Sequence, residues 1–276
     1  MDTGDYYQPM IPTALSTPVD ALDYNMNHPA RGICLIIENA NFLNQGVTRG
    51  LSKREGSHVD AEAVNDVFTK LSFNVLKCED MTTIQVRNTL RHVSKLDHSD
   101  YDCFVCVVLT HGDHGNLYAR DGRYAIDHLF NNFLGDKCPT LVGKPKLFFV
   151  QACQGSRLDP GVIVSTDALD SATYFKIPTY ADFMIAYSTL PGFYSFRNTE
   201  KGSWFIRSLC QILGEYHLNL DLLSMMTLVC HRVAYYFSSN ASNPAYSGMK
   251  QVPCITTMLT RRVFLHPKPK MNSILV

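Results

Sequence analysis

The chain has 276 residues, with 25 basic against 25 acidic side chains and a 46% hydrophobic share. That apolar content supports a folded core over most of the length, and zero net charge argues against a nucleic-acid binder or a protein held on anionic membranes. The longest apolar run, Cys103 to Leu109, is seven residues, far below the roughly 18 of a spanning helix. Nine cysteines are sparse and odd in number for a disulfide scaffold, and no signal segment opens the chain. The expectation is a reducing, cytoplasmic setting in which the sequon Asn240-Ala241-Ser242 stays unmodified.

Residues 1 to about 23 carry three prolines, four aspartates and no Lys or Arg, which predicts a flexible tail, too short for a folded adaptor domain. From Arg31 strands and helices alternate. Gly32 to Glu38 reads as a buried strand, Asn39 to Ser57 as a polar loop, and His58 to Leu71 as a helix with Val64, Phe68 and Leu71 on its apolar face. Phe73 to Cys78 reads as a strand and Thr82 to Leu96 as a helix with Ile84, Val86, Leu90 and Val93 inward, capped by Thr82 or Thr83. Tyr101 to Leu109 is apolar enough for a central parallel strand. Further strands are predicted at Lys146 to Val150 and Phe183 to Ser188, helices at Ser203 to Leu213 and Leu220 to Phe237, and a strand-like run at Val252 to Leu265. The pattern implies βαβ units: an α/β protein with a mainly parallel sheet and helices on both faces. Ser156 to Pro178 breaks the regularity, and a loop of that length is functional or disordered.

Cys103-x-x-Cys106 lies inside an apolar strand, where an odd separation sends the two side chains to opposite faces, so neither zinc nor redox chemistry is expected there. Gly135 to Lys144 has the wrong spacing for a phosphate loop, with Pro145 where Ser or Thr is needed. Gln151-Ala152-Cys153-Gln154-Gly155 is different. It follows a predicted strand directly, and His111 stands 42 positions upstream in Thr110-His111-Gly112-Asp113, just past the neighbouring strand. Chain leaving the C-terminal ends of central parallel strands is where open α/β proteins place their sites.

These residues make the sequence resemble the caspases, whose signature has this form, and within them the executioner branch. The resemblance runs from about Tyr24 to Leu265. It is carried further by Arg54-Glu55-Gly56-Ser57-His58-Val59-Asp60, Gly143-Lys144-Pro145-Lys146, Ala181-Asp182-Phe183, Tyr187 to Asn198, Gly202-Ser203-Trp204-Phe205 and Gln251-Val252-Pro253-Cys254. It implies a three-layer sandwich with a mostly parallel six-stranded sheet, and a thiol endopeptidase that needs no cofactor or metal. Cys153 would be the nucleophile. His111 would lower the thiol's pKa as an imidazolium and protonate the leaving nitrogen. The N–H groups of Gly112 and Cys153 would hold the oxyanion. No residue stands out to orient His111.

The same resemblance implies cleavage after aspartate, with Arg54, Arg197 and Gln151 gripping the carboxylate, for which forked guanidinium donors suit best. Tyr194, Phe196 and Tyr246 would line the next pocket, and Asn198 and Trp204 an outer one. Phe196 stands where Trp is common and Tyr246 where Phe is, and Asn240 and Ser242 stand where some executioners carry aromatics. These departures bear on fine selectivity.

The tetrapeptide Asp-Ala-Leu-Asp occurs twice, at 20–23 and 167–170, in the two segments best exposed to proteolysis. The expectation is a zymogen with a propeptide (1–23), a large piece (24–167), an excised or cleaved linker (168–170) and a small piece (171–276), the two pieces forming one catalytic domain. Asp20, Asp23, Asp167 and Asp170 are the candidate cuts. Small Ala21 after Asp20 favours that bond over Asp23–Tyr24, while Asp167 and Asp170 are both followed by small residues. Expected partners are protein substrates, an upstream initiator caspase, a second large/small pair docked near Val252 to Leu265, and inhibitor-of-apoptosis proteins at a new N-terminus beginning Ala21. Two alternatives stay open: a non-catalytic homologue acting as a regulator, and a basic-residue peptidase of metacaspase type, which the arginines disfavour on charge.

Overall fold

The structure is a computed structural model that describes residues 17–18, 20–159, 181–240 and 244–268. Among the described residues, eleven strands and four α-helices follow in chain order: β1 (Ile33–Glu38), α1 (Ser57–Lys70), β2 (Asn74–Glu79), α2 (Thr83–Ser94), β3 (Phe104–Leu109), β4 (Gly112–Asp113), β5 (Asn116–Tyr118), β6 (Arg123–Ala125), β7 (Lys146–Gln151), β8 (Phe183–Tyr187), β9 (Arg197–Asn198), β10 (Gly202–Ser203), α3 (Trp204–Tyr216), α4 (Leu222–Tyr236) and β11 (Cys254–Thr257). Six strands form one sheet in the order β11-β8-β7-β3-β1-β2. All neighbours are parallel except β11, which runs antiparallel to β8.

Side-chain alternation divides the sheet between two apolar layers. Cys34, Ile36, Val105, Val107, Leu147 and Phe149 meet Val64 and Phe68 of α1, Leu209 of α3 and Met225 of α4. Leu35, Ile37, Cys106, Val108, Phe148 and Val150 meet Val86, Leu90 and Val93 of α2 on the other face, with Phe130 and Phe133. Strands β1, β3 and β7 are buried along their whole length, as strands covered on both sides must be. Cys103 falls in the first layer and Cys106 in the second, so the pair points apart, and all nine cysteines are free thiols. Among the described residues no helix is long and apolar enough to cross a membrane.

Several predicted boundaries shift. Thr82 caps α2 with a full capping box, its hydroxyl accepting from Gln85 N–H. Ile84 is 59% exposed, because two positions from Val86 it lies on the far side of the helix. The strand expected over 252–265 shortens to β11. Beyond it the chain runs irregularly but packs inward through Val263 and Leu265, with Leu222 N–H donating to Val263 O at 2.8 Å and Arg262 N–H to Leu22 O at 2.9 Å. The β4-β5-β6 meander and the β9-β10 hairpin are too short to show periodicity. Asp167, Asp170 and Ser242 lie outside the described residues.

At the N-terminal end of the strands, Asp102 is fully buried and receives Arg31 Nη1 at 2.9 Å, Lys268 Nζ at 2.7 Å and His28 Nδ1 at 3.0 Å. A cavity of about 540 Å³ lined by Tyr24, Met26, Arg31, Phe264 and Lys268 lies beside them, at the opposite end of the sheet from the cysteine discussed next.

Candidate active site

Strands β3 and β7 are parallel neighbours in register Leu109↔Gln151, so their C-terminal ends coincide. Thr110 N–H donates to Gln151 O at 3.1 Å, which brings the turn with His111 and Gly112 beside Cys153. The approach is close enough that a Cβ on Gly112 would lie 2.4 Å from the Cys153 carbonyl oxygen and 2.9 Å from Ala152 Cβ. A side chain there would force the two turns apart.

His111 Nε2 lies 2.8 Å from the Ser52 carbonyl oxygen. A carbonyl only accepts, so Nε2 carries the proton and Nδ1 keeps its lone pair. Phe42 packs on the ring at 5.0 Å. The Ser52 carbonyl is the orienting group that sequence reasoning missed, since a backbone acceptor in a polar loop leaves no residue signature. Burial holds the His111 pKa down at about 4, with Arg54 and Arg197 pushing the same way against the Ser52 hydrogen bond. Burial also raises the Cys153 thiol above its ordinary value, opposed by its contact to Ser195 O, by Arg54 and by Arg197. Both shifts favour the neutral thiol and the neutral imidazole over the expected thiolate–imidazolium pair in the free site. Sγ lies 3.9 Å from Ser195 O.

Three polar residues converge beside this thiol. Arg54, in the turn before α1, is 2% exposed; its N–H donates to Ala40 O at 2.9 Å and its Nη1 to Ser57 Oγ at 2.6 Å. Burial lowers its pKa to about 9, with the nearby charge of Arg197 as the next cause. Arg197, on β9, is likewise lowered by burial. Gln151, at the end of β7, donates from Nε2 to Ser195 Oγ at 2.8 Å, while its buried Oε1 has no hydrogen-bond partner among the described residues. Two guanidiniums beside a half-enclosed thiol can receive an anionic side chain and hold its carbonyl near Sγ, and the Gln151 amide would join them by turning its Nε2 from Ser195 Oγ to the guest.

Phe196 stacks on Trp204 at 4.7 Å, and Trp204 on Phe237 at 5.4 Å. The structure thus unites Phe196 with Trp204 in one aromatic wall. Tyr194 and Tyr246 are partly exposed. Asn198 Oδ1 is occupied by the N–H groups of Glu200 and Lys201 at 2.9 and 2.8 Å, so its side chain folds over its own hairpin. Two further contacts had no role in the sequence reading. Gln251 accepts Phe196 N–H at 2.7 Å and donates to Ser188 O at 2.6 Å. Arg157 sits over the Phe193 ring at 4.5 Å and donates to Pro191 O at 3.1 Å, and its backbone pairs with Gly192 O and Tyr194 N–H.

A family model described as Caspase domain matches residues 31–264. The chain belongs to the caspase family. Similar curated relatives include Caspase-1 of Spodoptera frugiperda, 45% identical over 249 residues covering 88% of this chain and 82% of that protein. Caspase drICE of Drosophila melanogaster is 45% identical, with 87% and 71% covered, and Caspase-7 of Gallus gallus is 42% identical, with 87% and 79% covered. The crystal structure of Caspase-1 from Spodoptera frugiperda superposes with a TM-score of 0.86 at 41% identity, covering 94% of this chain and 99% of that one. As a caspase the chain is a cysteine-type endopeptidase with the mostly parallel caspase-like sheet, and its substrates are proteins.

Proposed function

We propose that this caspase cuts after aspartate at Asp-x-x-Asp sites, with Cys153 as nucleophile and His111 as acid–base. As Sγ attacks the scissile carbonyl, Nδ1 of His111 takes the thiol proton, and the N–H groups of Gly112 and Cys153 hold the oxyanion. The resulting imidazolium hands that proton to the amide nitrogen as the C–N bond breaks. Water, deprotonated by the same Nδ1, then hydrolyses the thioester. Ser52 O keeps the ring oriented throughout.

The observation that carries the reading is the pair Arg54 and Arg197 beside Gln151 and the thiol, since like charges brought together out of water fit an anionic guest. Tyr194, Phe196 and Tyr246 would line the pocket for the second residue before the cut, and Asn198 and Trp204 an outer one, with the stacked Phe196 and Trp204 rings as the wall between them. The experiment is hydrolysis of an Asp-x-x-Asp fluorogenic peptide beside its Asn and Arg counterparts. Cleavage of the Asp peptide alone, abolished in Cys153→Ala, is expected, with at least a thirtyfold fall in kcat/KM for Arg54→Ala or Arg197→Ala, from roughly 2 kcal/mol or more for a lost buried charge partner. Equal cleavage of the three peptides would refute it.

The same reading makes the chain an executioner zymogen of apoptosis in the cytoplasm, matured by cuts at Asp20 or Asp23 and at Asp167 or Asp170 by itself or an initiator caspase. Two large/small pairs would then dock about a twofold axis near β11, the antiparallel edge of the sheet. The new N-terminus would be open to inhibitor-of-apoptosis proteins. Mass spectrometry of the self-processed protein tests the cut sites directly.

A further inference from the structure

We propose that Asp60 is the positioning residue that joins Arg54 and Arg197, which come from opposite sides of the candidate cut segment, into one pocket. The inference rests on the aspartate-binding reading above. Asp60 closes the sequence stretch that begins at Arg54, yet among the described residues neither of its oxygens is hydrogen-bonded to the thiol or the imidazole. It lies one turn into α1, the helix whose first residue, Ser57, already holds the Arg54 guanidinium at 2.6 Å. Its carboxylate is 2% exposed, and Oδ1 accepts the backbone N–H of Ser203 at 2.8 Å. Ser203 is the cross-strand partner of Arg197 in the β9-β10 hairpin. One buried hydrogen bond thus spans from the helix that fixes one arginine to the strand pair that carries the other.

The helix and hairpin also meet where only glycine fits. A Cβ on Gly202, at φ +79°, would lie 2.4 Å from Asp60 Oδ1, and one on Gly56, at φ +76°, would lie 2.3 Å from Thr199 O. A carboxylate serving its own helix end would accept from that helix's first-turn N–H groups, whereas Asp60 accepts from the hairpin. Its other oxygen, Oδ2, is buried without a hydrogen-bond partner among the described residues, which costs stability unless nearby charge compensates. Burial raises the Asp60 pKa to about 6, opposed first by hydrogen bonding from Ser203 and then by the charges of Arg54 and Arg197, which supply that compensation.

The test compares Asp60→Ala and Asp60→Asn on the full chain, normalised by active-site titration, with Asp-x-x-Asp and Asp-x-x-Asn peptides. Asp60→Ala is expected to raise KM for the Asp peptide at least tenfold while kcat and the rate of Cys153 alkylation by iodoacetamide stay within about twofold. Asp60→Asn, whose amide oxygen accepts the same N–H, should return KM to within about threefold of the parent. Unchanged KM in Asp60→Ala, a loss confined to the titrated fraction, or an Asn variant no better than Ala would overturn the proposal. Should Asp60→Ala not fold, Gly202→Ala, which pushes the hairpin off an intact Asp60, must show the same KM effect. A parent enzyme with no preference for Asp over Asn would instead sink the aspartate reading itself.

Discussion

Arg262 grips the carboxylate of Asp23 at two points, Nε to Oδ1 at 2.6 Å and Nη2 to Oδ2 at 3.2 Å. The backbone is pinned on both sides as well, with Tyr24 N–H donating to Arg262 O and Arg262 N–H to Leu22 O. An exposed ion pair contributes little by itself, but a protease must peel a strand of several residues away to reach a bond held this way. Asp20 is exposed in a turn outside the bridge. The matured chain should therefore begin at Ala21, and Asp20→Ala should retain the tail while Asp23→Ala loses it normally. N-terminal sequencing decides; a chain beginning at Tyr24 contradicts the expectation.

The resting charge state predicts a pH profile. His111, with a pKa of about 4, is neutral through the range 5–9, and the Cys153 pKa is raised. Thiolate therefore grows only as pH rises towards and past the ordinary thiol value, with no acid-side plateau from an ion pair. The second-order rate of Cys153 alkylation by iodoacetamide in the substrate-free enzyme should climb steadily from pH 6 to 9. A flat rate across that range would mean a thiolate–imidazolium pair already formed.

Arg157 should matter to turnover although it is exposed. A cation–π contact and an exposed hydrogen bond from the guanidinium each contribute about 1 kcal/mol, and both tie Phe193 and Pro191 to the loop of Cys153. Arg157→Ala is expected to lower kcat/KM about five- to thirtyfold, with Arg157→Lys in between. Steady-state kinetics with the Asp peptide measures this.

Asp102 predicts a stability effect instead. Its removal leaves Arg31, 2% exposed, with carbonyl oxygens but no counter-charge. Breaking a buried pair from one side costs about 3–5 kcal/mol, so Asp102→Ala should shift the urea midpoint strongly. A shift below the equivalent of 1 kcal/mol would show the cluster to be well solvated.

The layered fold was legible because buried parallel strands such as Phe104–Leu109 are continuous apolar runs, and helices such as α2 repeat at helical spacing. Cys153 and His111 were legible because both follow such strands directly. What escaped was contact chemistry carried by the backbone: the Ser52 carbonyl on His111, and the Ser203 N–H on Asp60. The lowered pKa of His111 escaped too, since it depends on burial and on arginines distant in sequence. Ile84 was misplaced because a hydrophobic residue in the first helical turn need not face the core.

Strands β7 and β8 are sheet neighbours, in register from Lys146↔Phe183 to Val150↔Tyr187, and the candidate cut lies in the chain between them. A cut there would remove a covalent crossover and leave the ladder, both apolar layers and the tie from Lys268 to Asp102 in place. Two halves joined like this part only when the sheet opens. The lifetime of the mature pair is then a kinetic quantity, set by the unfolding barrier and not by dilution: once matched, a large piece would keep its small piece for as long as the molecule stays folded.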